Sequence, residues 1–120
     1  MEKKNNILQA KSFSFAVRVV KAYKYLVEKK SEYVLSKQFL RSGTSIGANV
    51  EEALGAQSTA EFLSKLSIAY KEARENNYWI RLLSETEYFN KAEADSLLNE
   101  VIELKKIIAK IRITTKKNNS

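Results

Sequence analysis

The apolar positions of this chain recur in steps of three and four over four long stretches, the spacing of amphipathic helices. From about Leu8 to Lys29, Phe13, Ala16, Val17, Val20, Tyr23 and Val27 share one side, and Phe15, Val19, Ala22 and Leu26 form a second stripe beside it. Together the stripes cover roughly 220° of the circumference, against the ~100° that one core contact needs. An arc this wide predicts burial on two sides, one in a bundle core and one against another subunit. A helix tucked deeply into a single bundle would read the same way, but so small a domain has little depth to offer.

The second helix runs from about Tyr33 or Val34 to Leu54 or Gly55, with Leu35, Phe39, Ser42, Ile46, Asn49, Val50 and Ala53 as its inward stripe. Gly43 and Gly47 lie one turn apart, and each gives up about 1 kcal/mol relative to alanine in a helix. Close approach of a neighbouring backbone is the expected compensation. Gly55 suits a left-handed helix end. Ser58 and Glu61, three apart, form a capping box that opens a third helix running to about Tyr88. Its seam is Phe62, Leu66, Ala69, Ala73, Asn76, Ile80 and Leu83. Asn90 and Glu93 repeat the box and open a fourth, with Leu97, Val101, Leu104, Ile108 and Ile111 along its seam. Short connections between four helices predict an all-α, antiparallel up-down-up-down four-helix bundle over residues 7–113. The polar ends, 1–6 and 114–120, are expected to be flexible.

Composition narrows the chemistry. The 120 residues hold no proline, cysteine or histidine. Without histidine and cysteine the usual ligands for zinc or iron are missing, as are the commonest general base and the strongest nucleophile. No cofactor and no metal are expected, nor any membrane span, and a cytoplasmic location suits a chain without cysteine.

The charge is uneven. Residues 1–30 carry eight basic and two acidic groups, and residues 91–120 carry seven and four, whereas the two middle segments are each slightly acidic. Lys11, Arg18 and Lys21 fall on the polar arc of the first helix, and Lys105, Lys106, Lys110 and Arg112 cluster late in the fourth. In a simple bundle these helices are neighbours, so their basic faces are expected to merge. Such a surface holds phosphates without reading bases, which predicts salt-sensitive, sequence-independent binding of RNA or DNA. An adaptor that meets an acidic protein partner is the alternative.

Among the carboxylates, Glu72 and Glu75 lie three apart on the third helix and can share one partner. The expected arrangement is a structural polar layer of Arg41, Ser42, Asn49, Glu72 and Glu75, which fixes helix register, rather than a catalytic site. No serine has a histidine base, and the Gly43-x3-Gly47 spacing lacks the Lys-Ser/Thr ending of a phosphate loop.

Three segments are similar to a known family: Lys11-Ser-Phe-Ser-Phe-Ala-Val-Arg-Val-Val-Lys, Leu40-Arg-Ser-Gly-Thr-Ser-Ile-Gly-Ala-Asn-Val-Glu-Glu-Ala-Leu-Gly-Ala-Gln-Ser and Leu66-Ser-Ile-Ala-Tyr-Lys-Glu-Ala-Arg-Glu. The chain resembles the 23S rRNA-intervening sequence proteins over about residues 7–112 and, more distantly, the accessory variability protein of diversity-generating retroelements. The resemblance implies a four-helix bundle that assembles as a homopentamer, with no established enzymatic activity. The distant relative is a basic pentamer that partners a reverse transcriptase and nucleic acid, which implies a nucleic-acid-processing protein as a possible partner here. Arg41, Ser42, Ser45, Asn49, Glu52, Glu72 and Glu75 match the family motif without an assigned chemistry.

Overall fold

The computed structural model describes residues 3–119, and the helical spacing of the chain becomes α1 (Lys3–Lys30), α2 (Leu35–Leu54), α3 (Thr59–Glu85) and α4 (Lys91–Asn118). Each helix packs on the next and α4 closes back on α1. Partners descend along one helix as they ascend along its neighbour. Ser12 and Val19 of α1 meet Gly47 and Gly43 of α2, and Lys11 and Arg18 meet Glu103 and Glu93 of α4. Helix α1 therefore runs antiparallel to both α2 and α4, as expected of a bundle with short connections. No described helix is long and apolar enough to cross a membrane.

The core follows the seams. Phe15, Val19 and Leu26 face Phe39, Ile46 and Val50, and Leu66, Ile80, Leu83, Leu97, Leu104 and Ile108 complete it, all within 1 % of full burial. Each such side chain contributes about 1.5–3 kcal/mol through removal from water. On α1 the stripe of Phe15, Val19, Ala22 and Leu26 is the core stripe. The other stripe faces outward, leaving Phe13 68 %, Val17 39 % and Val20 36 % exposed.

The glycines explain how closely α1 and α2 approach. A Cβ on Gly43 would lie 2.6 Å and 2.7 Å from the two methyl carbons of Val19 and 2.9 Å from Asn76 Nδ2. At Gly47 it would lie 3.3 Å from the backbone oxygen of Ser12. The expected backbone contact is thus present at Gly47, whereas at Gly43 the close neighbours are side chains.

Boundaries differ from the sequence expectation in four places. Helix α1 is already helical at Lys3 and α4 remains so to Asn118, because each gains further helical turns beyond the last core residue. Met1, Glu2 and Ser120 lie outside the described residues. Gly55 has φ −92°, so the end of α2 is not left-handed; its N–H donates to the carbonyl of Glu51 in an ordinary helical turn. Helix α3 stops at Glu85, short of Tyr88, because Glu87 takes a positive φ of 69° and the N–H groups of Tyr88 and Phe89 both donate to the carbonyl of Leu83. That turn folds Phe89 back into the core, where its ring meets Phe39 edge-on at 5.4 Å.

Candidate functional site

Two polar systems join α2 to α3. At the bundle centre, Asn76 Nδ2 donates to the carbonyl of Phe39 and to Oγ of Ser42, each at 3.0 Å, and Ser42 Oγ donates in turn to the carbonyl of Gln38. All of Asn76 and Ser42 is buried. Toward the surface, the guanidinium of Arg41 straddles two carboxylates, reaching Glu72 at 3.0 Å and Glu75 more closely still. The indole Nε1 of Trp79 also donates to Glu75, at 2.9 Å. Chiefly through Trp79, and then through Arg41, the Glu75 carboxyl is held below its usual range. Both carboxylates are committed to partners, and a depressed Glu75 is the opposite of what a general acid at neutral pH needs.

Asn49 is a correction to the expected layer. It lies about two helical turns from Arg41 and donates to the carbonyl of Ser45 on its own helix, at 2.8 Å, rather than joining Glu72 and Glu75. Its place in the layer belongs to Asn76, three residues along α3 from Ala73 and on the same face.

Helix α4 divides its charge between its two neighbours. Its acidic flank meets α1: Arg18 reaches Ser96, Glu93 and Glu100, and Lys11 pairs with Glu103 at 3.3 Å. The basic faces of α1 and α4 therefore do not merge, because the carboxylates of α4 lie between them. Lys21 stays exposed at the edge of a surface groove of about 480 Å³ shared with Arg18, Ala22, Tyr25, Phe89, Asn90 and Glu93.

The other flank of α4 is basic and faces α3. Lys105 Nζ lies 5.9 Å and the Arg112 guanidinium carbon 5.8 Å from the ring centroid of Tyr70. Lys106 and Lys110 are exposed on the outer face of α4, about 100° and 140° around the helix from Lys105, and Lys106 lines a shallow depression with Glu100 and Glu103. Among the described residues, no carboxylate lies within ion-pair distance of Lys105, Lys106, Lys110 or Arg112. Arg74 and Arg81 of α3 continue this flank, at one and three turns from Tyr70. Arg81 stacks 5.9 Å from the ring of Tyr78. Among the described residues, no cluster of three or more carboxylates is placed to hold a metal ion.

The model of the 23S rRNA-intervening sequence proteins matches residues 4–110. The chain belongs to this family. A crystal structure of a protein of unknown function from the S23 ribosomal protein family of Bacteroides thetaiotaomicron is similar throughout. It is 50 % identical, with a TM-score of 0.90, and the match covers 91 % of this chain and 97 % of that one. No curated protein matches.

Within this family member, the motif positions fall into two groups by structure. Arg41, Ser42, Glu72 and Glu75 tie α2 to α3, whereas Ser45, Asn49 and Glu52 make no bond to another helix among the hydrogen bonds described. Three positions of these polar and basic surfaces escaped the sequence reading. Asn76 appeared there only as one member of a seam. Arg74 and Arg81 were hidden because residues 59–90 are slightly acidic in sum, although the flank of α3 that carries Tyr70 is not. A helical projection of charge, residue by residue, is the signal that reveals them.

Proposed function

We propose that this chain is a non-enzymatic, cytoplasmic homo-oligomer whose basic α3–α4 side holds RNA or DNA by its phosphates, as an accessory to a nucleic-acid-processing protein. The observation that carries the reading is that Lys105 and Arg112 on the α3 flank of α4, and Lys106 and Lys110 on its outer face, have no carboxylate within ion-pair distance among the described residues. A cation with no internal counter-charge is free to replace the counterions of a phosphate backbone. Self-association is supported by the outward stripe of Phe13, Val17 and Val20, and a count of five is taken from the family resemblance alone.

The role of α1 in this reading is narrower than its charge suggests. Lys11 and Arg18 are engaged by α4, so of the three α1 candidates Lys21 is the one left to contribute. The absence of catalysis is supported by the commitment of Glu72 and Glu75 to Arg41 and Trp79.

A gel shift with single-stranded RNA at ~50 mM salt, where counterion release favours binding most, tests the reading. Retention of RNA, lost on joint replacement of Lys105, Lys106, Lys110 and Arg112 by glutamine, is the expected result. No retention by the wild-type protein at that salt overturns it. Copurification with a protein partner that survives nuclease digestion would favour the adaptor reading instead.

A further inference from the structure

We infer that the groove over the α3–α4 turn receives one unstacked base of a single-stranded nucleic acid, with Tyr25 as the ring it stacks on. The inference rests on the nucleic-acid reading and adds a base contact to its phosphate contacts. The groove has a volume of about 1000 Å³ and reaches from Arg81 and Ser84 of α3, past Tyr88, to Tyr25 and Lys30 of α1. That is room for a nucleoside, at the upper end of the roughly 300–1,000 Å³ usual for small-ligand sites.

Charge separates this groove from the flank that leads into it. Arg81, which continues the flank of Tyr70 and Arg74 along α3, stands on its edge. Its Nε–H donates to Oδ1 of Asn77 at 2.9 Å and its guanidinium lies over the Tyr78 ring, so the group is held in place. Among the described residues no carboxylate pairs with it, which leaves its terminal N–H groups for a phosphate. Inside the groove the balance is even. Lys30, Arg81 and Lys91 stand against Glu85, Glu87 and Asp95, and Lys91 and Asp95 pair with each other at 3.1 Å. A hollow without net charge exerts little pull on a phosphate, so the part of a nucleotide that suits it is the uncharged base.

Tyr25 supplies the contact. It is 42 % exposed, and it lines both this groove and the smaller one that holds Lys21. A side chain that borders two depressions stands between them rather than flat against the bundle. Stacking on such a ring holds single strands with little regard to sequence, because every base has a π-face. Lys21 has no carboxylate partner among the described residues, so a strand that crosses Tyr25 passes from Arg81 to a second phosphate contact. A duplex keeps its bases stacked on one another and offers Tyr25 no free face.

Fluorescence anisotropy on the full chain decides it, with labelled single-stranded RNA, single-stranded DNA of the same sequence and an RNA duplex. Tyr25→Ser should bind both single strands about tenfold more weakly, the order expected for one lost stacking contact. Its salt slope should match the wild type, since no phosphate contact is removed. Tyr25→Trp should restore binding. Tyr33→Ser removes a comparably exposed ring at the same end of the bundle that lines neither groove, and should change binding less than about twofold. Duplex binding should not respond to Tyr25→Ser. Equal losses for Tyr25→Ser and Tyr33→Ser, or for duplex and single strand, overturn the base site and leave the nucleic-acid reading standing. No binding by the wild type overturns both.

A second measurement needs no substitution and so does not depend on how a variant folds. The ring proton resonances of Tyr25 are followed as a riboadenosine tetranucleotide is added. An upfield, saturating shift from the stacked base is expected. Tyr25 signals that stay fixed while the RNA is bound overturn the site.

Discussion

Asn76 of α3 donates to Oγ of Ser42 on α2 at 3.0 Å, and both side chains are wholly buried. The bond lies among Phe39, Val19 and Ile46, where water does not compete for either group. A second donation, to the carbonyl of Phe39, makes Asn76 the point at which the middle of α3 is registered against α2.

Replacing Asn76 by alanine leaves the Phe39 carbonyl without this donor and opens a cavity, so a loss of about 2–4 kcal/mol is expected. Ser42→Ala should cost about 1 kcal/mol, because Asn76 keeps its bond to Phe39. The two changes share one interaction, so the double variant should be less destabilised than their sum. Urea denaturation of the four proteins of the cycle measures this directly, and strict additivity would contradict the coupling.

Gly43 and Gly55 should respond to alanine with opposite signs. At Gly43 the new methyl meets Val19 and Asn76 at under 3.0 Å, so Gly43→Ala is expected to destabilise by about 1–3 kcal/mol in spite of better helix propensity. At Gly55 the nearest atoms are 3.7 Å away and φ is negative, so Gly55→Ala should be neutral or stabilising by up to about 1 kcal/mol. Thermal melts of the two variants give the comparison.

Acid sensitivity should arise in part at the start of α2. The carboxylate of Glu32 accepts from the N–H groups of Val34, Leu35 and Ser36. Burial works to raise this carboxyl, but the three backbone bonds together with the Ser36 hydroxyl hold it below the ordinary value of 4.5. Glu75 is depressed as well, by Trp79 first and by Arg41. A carboxyl whose folded value lies below its unfolded one stabilises above the unfolded value and loses that contribution as pH falls through the folded one. Stability should therefore be flat near neutrality and decline as pH drops below about 4.5. Glu32→Gln should weaken the protein at pH 7 and flatten the acid decline, as read by denaturation at a series of pH values.

The outward stripe of α1 predicts assembly. Phe13 is 68 % exposed and lies beside a shallow groove lined by Ala16, Thr44, Gly47 and Ala48. Phe13→Glu should lower the mass measured by light scattering at micromolar concentration while the helical circular dichroism is kept. A wild-type protein that already scatters as a monomer would contradict this account of α1.

Much of the architecture was legible because it is local. Ser58 and Asn90 cap their helices as read, with Glu61 N–H and Glu93 N–H donating to the two side chains, but the reciprocal half of each box is not made: Glu61 accepts from the N–H of Gln57 and Glu93 pairs with Arg18. The seams of α2, α3 and α4 supplied the core positions for the same reason, since one face of each is plainly apolar. On α1 the periodicity identified two stripes but could not rank them, as both are apolar over the same length. What stayed hidden depends on turns and on neighbours. Phe89 enters the core only because Glu87 reverses the backbone, and Glu32 acts as a cap from three residues before the first residue of the helix. The candidate interface was half legible: the lysines of α4 were visible as a cluster, but segment sums do not say which flank of a helix a charge occupies.

That division of charge also sets the hand of the bundle. The same helices and loops can in principle close in either rotational sense, with every core residue still pointing inward. Reversing the sense exchanges the flanks, so Lys11 and Arg18 would meet the side of α2 that carries Arg41, and Glu93, Glu100 and Glu103 would meet the side of α3 that carries Glu72 and Glu75. Base would face base along one seam and acid would face acid along the other. Surface ion pairs that each contribute little to stability thus act together as a chiral selector, disfavouring a mirror topology that hydrophobic burial alone does not distinguish.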